Sequence, residues 1–197
     1  GSIWKIGYDG KVRWKEETVG RAWSLSDYQG QAVIGLSRPK CGYAIVSETG
    51  IEYLELEEKK PVTAGCKLDN GGMVFGHSNG SVTEINGGVC STVSVGDSAI
   101  CAMDCRSSWV VGLDSGVIST SESVRSWNIK SLESIDVVSY GPSVEGSTGI
   151  WYTSWNGKGR VFLVDSLDGG LQLELSHGSR IVTCFATEEL ICFGDIS

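Results

Sequence analysis

Apolar and polar residues alternate along this chain in short runs of four to seven, and no stretch keeps a helical period. Runs such as "AVIGL", "MVFGH" and "WVVGL" each lead into a cluster of Gly, Ser, Asn, Asp or Pro. Such clusters supply fixed or positive φ angles and side-chain-closed turns. With 27 glycines against 3 prolines, the pattern predicts an all-β chain of tight antiparallel hairpins.

The hairpins recur. In "AVIGLSRPKCGYAIV", "MVFGHSNGSVTEI", "WVVGLDSGVISTS", "IWYTSWNGKGRVFLV" and "ICFGDIS", the residue closing the second apolar run is Gly35, Gly76, Gly112, Thr153 and Gly194. The steps between them are 41, 36, 41 and 41 residues. Counting round from Gly194 to Gly35 gives 38, so the five steps account for all 197 residues. "ICFGDIS" has the first half of a hairpin, and "GSIWKIGYDGKVRWKEE" has the second. Aligned under "VFGHSNGSVTEI", Ile3 falls on Val82 and Ile6 on Ile85. The N-terminus has no initiator Met and no apolar leader, and Gly1 and Ser2 read as a cloning scar.

Each repeat resolves into four strands, as "AICAMDC", "WVVGL", "VISTS" and "VRSWNIK" show for the third. A four-stranded antiparallel unit of this period resembles a blade of a β-propeller, and its Gly-x-x-x-Gly turns are similar to those of the WD-repeat family. The family's Gly-His dipeptide before the first strand and its Trp-Asp at the end of the third are both missing. "GKVRW" also resembles a quinoprotein-type propeller repeat. The resemblance implies a single five-bladed domain with blades over about 21–60, 61–96, 97–131, 132–178, and 179–197 joined to 1–20. In it, "RIVTCFA" and "LICFG" share the last blade with "SIWKIGY" and "KVRWKEE", which pairs strand edges left open otherwise. A piece of a larger or tandem propeller is the rival.

Composition narrows the function classes. A formal net charge of −8 argues against broad nucleic-acid or anionic-membrane binding, and no run of about 18 apolar residues predicts a membrane span. Lys5, Lys11, Arg13, Lys15 and Arg21 crowd the first 21 residues, but Asp9, Glu16 and Glu17 interleave with them as on a solvated strand. The seven cysteines are too odd in number and too scattered for a disulfide framework; most sit in apolar runs as small hydrophobes. They indicate a reducing, intracellular location, cytoplasmic or nuclear.

Candidate chemistry is sparse. Cys101 and Cys105, four apart on one strand, share a face under strict alternation and read as packing between sheets, not as zinc ligands. "GHSNG" has Gly-x-Ser-x-Gly spacing but occupies an ordinary hairpin turn of the repeat, not a nucleophile elbow, and no phosphate-cradling loop occurs. His77 and His177 are the only candidate bases for an enzyme reading. Quinoprotein enzymes carry more blades and adjacent cysteines, which this chain lacks, so no cofactor is expected. Trp4, Trp14, Trp23, Trp109, Trp127 and Trp151 lie in strands as core, whereas Trp155 stands in a turn as an exposed anchor.

The turns between second and third strands remain. In WD-type propellers they share the face that takes up partner peptides. Here they carry Arg38, Lys40, His77, Asn79, Asp114, Trp155, Lys158 and Asp195. The resemblance implies a non-enzymatic scaffold binding a protein or peptide within a larger complex. A lectin-like glycan or small-ligand binder built on Trp155 is the alternative.

Overall fold

The computed structural model describes the chain except residues 29, 30, 48, 58, 122–126, 129–132, 145, 188 and 197, and only the backbone of Tyr28, Trp127 and Asn128. Among the described residues there is no helix. The strands open with a hairpin, β1 (Ser2–Ile6) and β2 (Val12–Glu17). A four-stranded sheet follows: β3 (Ala22–Tyr28), β4 (Gln31–Leu36), β5 (Gly42–Ser47) and β6 (Gly50–Leu54). The second sheet holds β7 (Val62–Lys67), β8 (Met73–His77), β9 (Ser81–Asn86) and β10 (Val89–Ser94). The third holds β11 (Ile100–Cys105), β12 (Trp109–Leu113), β13 (Val117–Thr120) and β14 (Trp127–Asn128). The fourth holds β15 (Ile135–Pro142), β16 (Thr148–Trp155), β17 (Gly159–Asp165) and β18 (Leu171–His177). A second hairpin, β19 (Arg180–Ala186) and β20 (Ile191–Ile196), ends the series. Most of the "VRSWNIK" strand expected in the third repeat lies outside the described residues.

Every pairing is antiparallel between sequence neighbours, so each unit is a meander. The units stack through their first strands: β3 lies beside β7, β7 beside β11, β11 beside β15, and β15 beside β19. Buried apolar clusters fill the spaces between units. Val33 of the first sheet packs with Val62 and Phe75 of the second, and Val74 and Val82 of the second pack with Ile100, Val111 and Leu113 of the third.

The repeating glycine is explained by this stacking. A β-branched residue of the next sheet's first strand lies directly on it. A Cβ at Gly35 would stand 2.3 Å from Val62 Cγ1, at Gly76 2.6 Å from Ile100 Cγ2, and at Gly112 2.4 Å from Ile135 Cγ2. The second glycine of the Gly-x-x-x-Gly turn has another cause. Gly80 and Gly116 hold φ of 77° and 82°, a left-handed conformation that side chains disfavour, and donate their N–H groups back to His77 and Leu113.

One irregularity also repeats. The register slips by one residue at the same place in all five first strands, between Ala22 and Ser24, Val62 and Ala64, Ile100 and Ala102, Ile135 and Val137, and Ile181 and Thr183. The residue after each bulge pairs with Gly35, Gly76, Gly112, Thr153 or Gly194. A bulge puts two residues opposite one and reverses the alternation beyond it. Ile100 and Ala102, two apart, accordingly join different apolar clusters.

The bulge corrects the reading of the cysteines. Cys101 and Cys105 do not share a face, because Cys101 is itself the bulged residue. Cys105 instead forms a disulfide with Cys66, tying β11 to β7. Cys41, Cys90, Cys101, Cys184 and Cys192 are free, and Cys90, Cys101 and Cys192 are exposed, not buried as small hydrophobes.

The chain ends differ from the expected shared unit. β1–β2 and β19–β20 remain two separate two-stranded sheets, and no ladder joins β20 to β1 among the described residues. Each hairpin is docked on its own neighbour. Ile3 and Trp14 pack on Ile34, Leu36, Ala44 and Val46 of the first sheet; Ile181, Ile191 and Phe193 pack on Trp151, Val161 and Leu163 of the fourth.

Candidate functional site

The first strands of all five units line one cavity of about 380 Å³. The five bulged residues, Trp23, Thr63, Cys101, Asp136 and Val182, all belong to its wall. Their position along the strand places them near one end. At that end, in the first three four-stranded sheets, the residue after the second strand is tied to the residue before the first: Ser37 N–H donates to Arg21 O at 2.9 Å, Ser78 to Pro61 at 3.0 Å, and Asp114 to Ala99 at 2.9 Å. The turns and the bulges therefore occupy the same face.

Trp23 is the largest side chain on this wall. It is 55% exposed, yet its position is fixed: Nε1 donates to Ser37 Oγ at 2.8 Å and the Arg21 guanidinium lies 5.6 Å from the ring centre. Leu25, two residues along, lines the same cavity and is exposed. Asp136 forms a two-pronged ion pair with Arg180, at 2.5 and 3.1 Å. Asp104 accepts from Ser139 Oγ and Tyr140 N–H, each at 2.9 Å, which holds β11 to β15. Both carboxylates are thus structural partners as well as wall residues.

Cys101 and Cys184 also face the cavity. Cys101 is exposed as a residue, but its thiol turns in to donate to Ile135 O at 2.8 Å, and burial of the sulfur pushes it up to about 11. Burial likewise pushes Cys184 to about 11, with the Asp104 carboxylate adding to the effect. Raised thiol values mean that the reactive thiolate is scarce below that range. We expect both residues to resist iodoacetamide at pH 8 and to react as the pH approaches 11, read as mass added at each cysteine-containing peptide. Rapid labelling of Cys101 at pH 8 contradicts this placement.

The turn residues chosen from the sequence divide into groups. Arg38, Lys40, Asp114 and Lys158 are exposed at the turns, and Asn79 is half-buried, accepting from Ser81 Oγ at 2.8 Å. None of them belongs to the cavity wall. Lys40 turns outward, its ammonium 5.1 Å from the ring centre of Tyr53 on β6. Asp195 is engaged by His177 at 2.6 Å. His77 is a correction: it is fully buried, its Nε2 2.9 Å from Thr83 Oγ1, which in turn meets Thr92 Oγ1 at 2.9 Å. As the last residue of β8 it faces inward, so it offers nothing to a partner at the surface.

Trp155 is a second correction. It lies at the end of β16, paired with Gly159, and is half-buried. The turn after it is anchored by Glu133, a buried carboxylate that accepts from Ser154 Oγ, Asn156 and Arg160. Among the described side chains the exposed indoles are instead Trp4 and Trp23, while Trp109 and Trp151 are buried. The strand positions of both exposed indoles point to the core. Only knowledge of the bulge brings Trp23 out, and nothing in the alternation marks it.

No family model matches the chain, and no curated protein matches it. No helix among the described residues is long and apolar enough to cross a membrane.

Proposed function

We propose that the five units form a five-bladed β-propeller, its last blade shared between β19–β20 and β1–β2. On this reading it is a non-enzymatic, WD-repeat-like scaffold that binds a partner protein or peptide. The partner sits on the face that carries the second-to-third-strand turns. The observation carrying this reading is the convergence of Trp23, Thr63, Cys101, Asp136 and Val182 on one cavity at that face. A rigid, exposed indole with the exposed Leu25 beside it, on the wall of a largely polar cavity, is the kind of anchor that dominates peptide recognition. Arg38, Asp114 and Lys158 then form a charged rim outside it.

His77 is held by Thr83 and His177 by Asp195, which favours structural roles over a base. Membership of a larger intracellular assembly, cytoplasmic or nuclear, goes with the scaffold reading, while the Cys66–Cys105 disulfide counts against a reducing compartment. The glycan alternative depends on an exposed Trp155, and its half-burial removes that support.

The test is a selection of displayed peptides on the wild-type chain, followed by affinity measurement on Trp23→Ala. Truncating a central aromatic anchor costs about 2 kcal/mol, roughly thirty-fold in affinity. The exposed position predicts an unchanged melting temperature for the same variant. Peptides that bind both chains equally place the recognition surface elsewhere.

A further inference from the structure

The seam between β20 and β1 has a specific shape. Ile3 packs against Ile34 and Leu36, which flank Gly35; Val82 packs against Val111 and Leu113, which flank Gly112. β1 therefore stands on the first sheet as β9 stands on the third. Within the array, Gly76 pairs with Val82 and Gly112 with Ile118. Carrying that register to the ends sets Gly194 opposite Ile3, Phe193 opposite Trp4, Cys192 opposite Lys5 and Ile191 opposite Ile6.

In the conformation described, this pairing is unmade. The Gly35, Gly76 and Gly112 positions each carry a residue of the next sheet, while a Cβ at Gly194 would meet only Thr183 of its own hairpin. Apolar side chains stand exposed along both sides: Trp4 and Ile6 on β1, Leu25 on β3, Phe185 on β19 and Ile196 on β20. A cavity of about 710 Å³ lies between β1–β2 and the first sheet, walled by Trp4, Trp14, Leu25 and Ala32. Trp14 Nε1 is buried there without a partner. The two sides differ in charge. The first 17 residues carry four cations against three carboxylates; residues 180–197 carry one against three.

Resting on the shared-blade reading above, we propose that β1–β2 is an exchangeable hairpin and that the seam is a binding site for a second copy of this chain. The β1–β2 hairpin of one copy pairs with β20 of the other, and the reverse pair forms by symmetry. Every contact made in exchange is one the chain's own hairpin can make, so no new complementarity is needed. Only residues 18–21 must change direction. They are tied to the first sheet by two described hydrogen bonds, Val19 N–H to Tyr53 Oη at 3.2 Å and Ser37 N–H to Arg21 O at 2.9 Å, with Gly20 buried against Ser37, and exchange has to release these. The chain's own end has the advantage of high effective concentration, so exchange grows with protein concentration.

Lys5→Cys places a thiol opposite Cys192 in the derived register. The variant is refolded under reductant at low and at high concentration, oxidised, and analysed by non-reducing mass spectrometry and size exclusion. Wild type and Lys5→Cys/Cys192→Ser are the controls. The expected result is a 5–192 bond within the monomer at low concentration and between chains of a dimer at high concentration. A bond confined to the monomer at every concentration overturns exchange and leaves the shared blade standing. No 5–192 bond in any form overturns both.

Discussion

Deleting residues 1–18 is expected to lower the melting temperature by roughly 10–20 °C, or to leave the chain aggregated. The deletion strips Ile3 and Trp14 from the first sheet and bares Ile34, Leu36, Ala44 and Val46. Ile34 and Leu36 are each only 1% exposed in the structure. Exposing two such side chains costs about 5 kcal/mol at about 1.5–3 kcal/mol each. For a chain of this size that loss corresponds to the stated shift. The bared face is flat, apolar and flanked by unpaired strand edges, which is a template for association. An unchanged melt would mean that β1–β2 contributes no stabilising cover.

Gly112→Val is the second large effect, with an expected loss of about 3 kcal/mol or more. The new Cβ would sit 2.4 Å from Ile135 Cγ2 and 2.8 Å from Ile135 Cβ. Ile135 is buried in the first strand of the fourth sheet, and its Cβ moves only if β15 moves. Relief of the clash therefore means separating two sheets. Denaturant unfolding of Gly112→Val beside Gly194→Val reads the difference. The only described neighbour at Gly194 is Thr183 Cγ2, a side-chain end on the same hairpin, so the second variant loses less. Equal losses would mean that Gly194 also carries a residue of the next sheet, as closure of the ring requires; a Gly112→Val loss within about 1 kcal/mol would contradict the account of why the glycine recurs.

Much of this architecture is legible in the alternation. Hairpins read from "WVVGL" and "VISTS" stand as β12 and β13, and "RIVTCFA" is β19 residue for residue. Turn chemistry and strand alternation are local properties, so a sequence can state them. The recurring Gly35, Gly76 and Gly112 also show in the sequence, because each marks a contact made in every unit. The bulges do not. A bulge depends on how a strand meets its neighbour: the slip in β11 separates the faces of Cys101 and Cys105, and the slip in β3 turns Trp23 outward. The Cys66–Cys105 bond and the Glu133 anchor share that cause, since both join residues of different strands. Burial of His77 needed the neighbouring Thr83, which turn composition alone does not report.

Amide hydrogen exchange along β1 and β20 in the native chain tests the ring most directly. Closure pairs Trp4, Lys5 and Ile6 with the 191–193 stretch, so both segments should exchange as slowly as β8 and β9, which are paired on both sides. Exchange at the rate of unpaired edge amides in both segments, with β8 and β9 protected, would show that the ends of the chain do not meet.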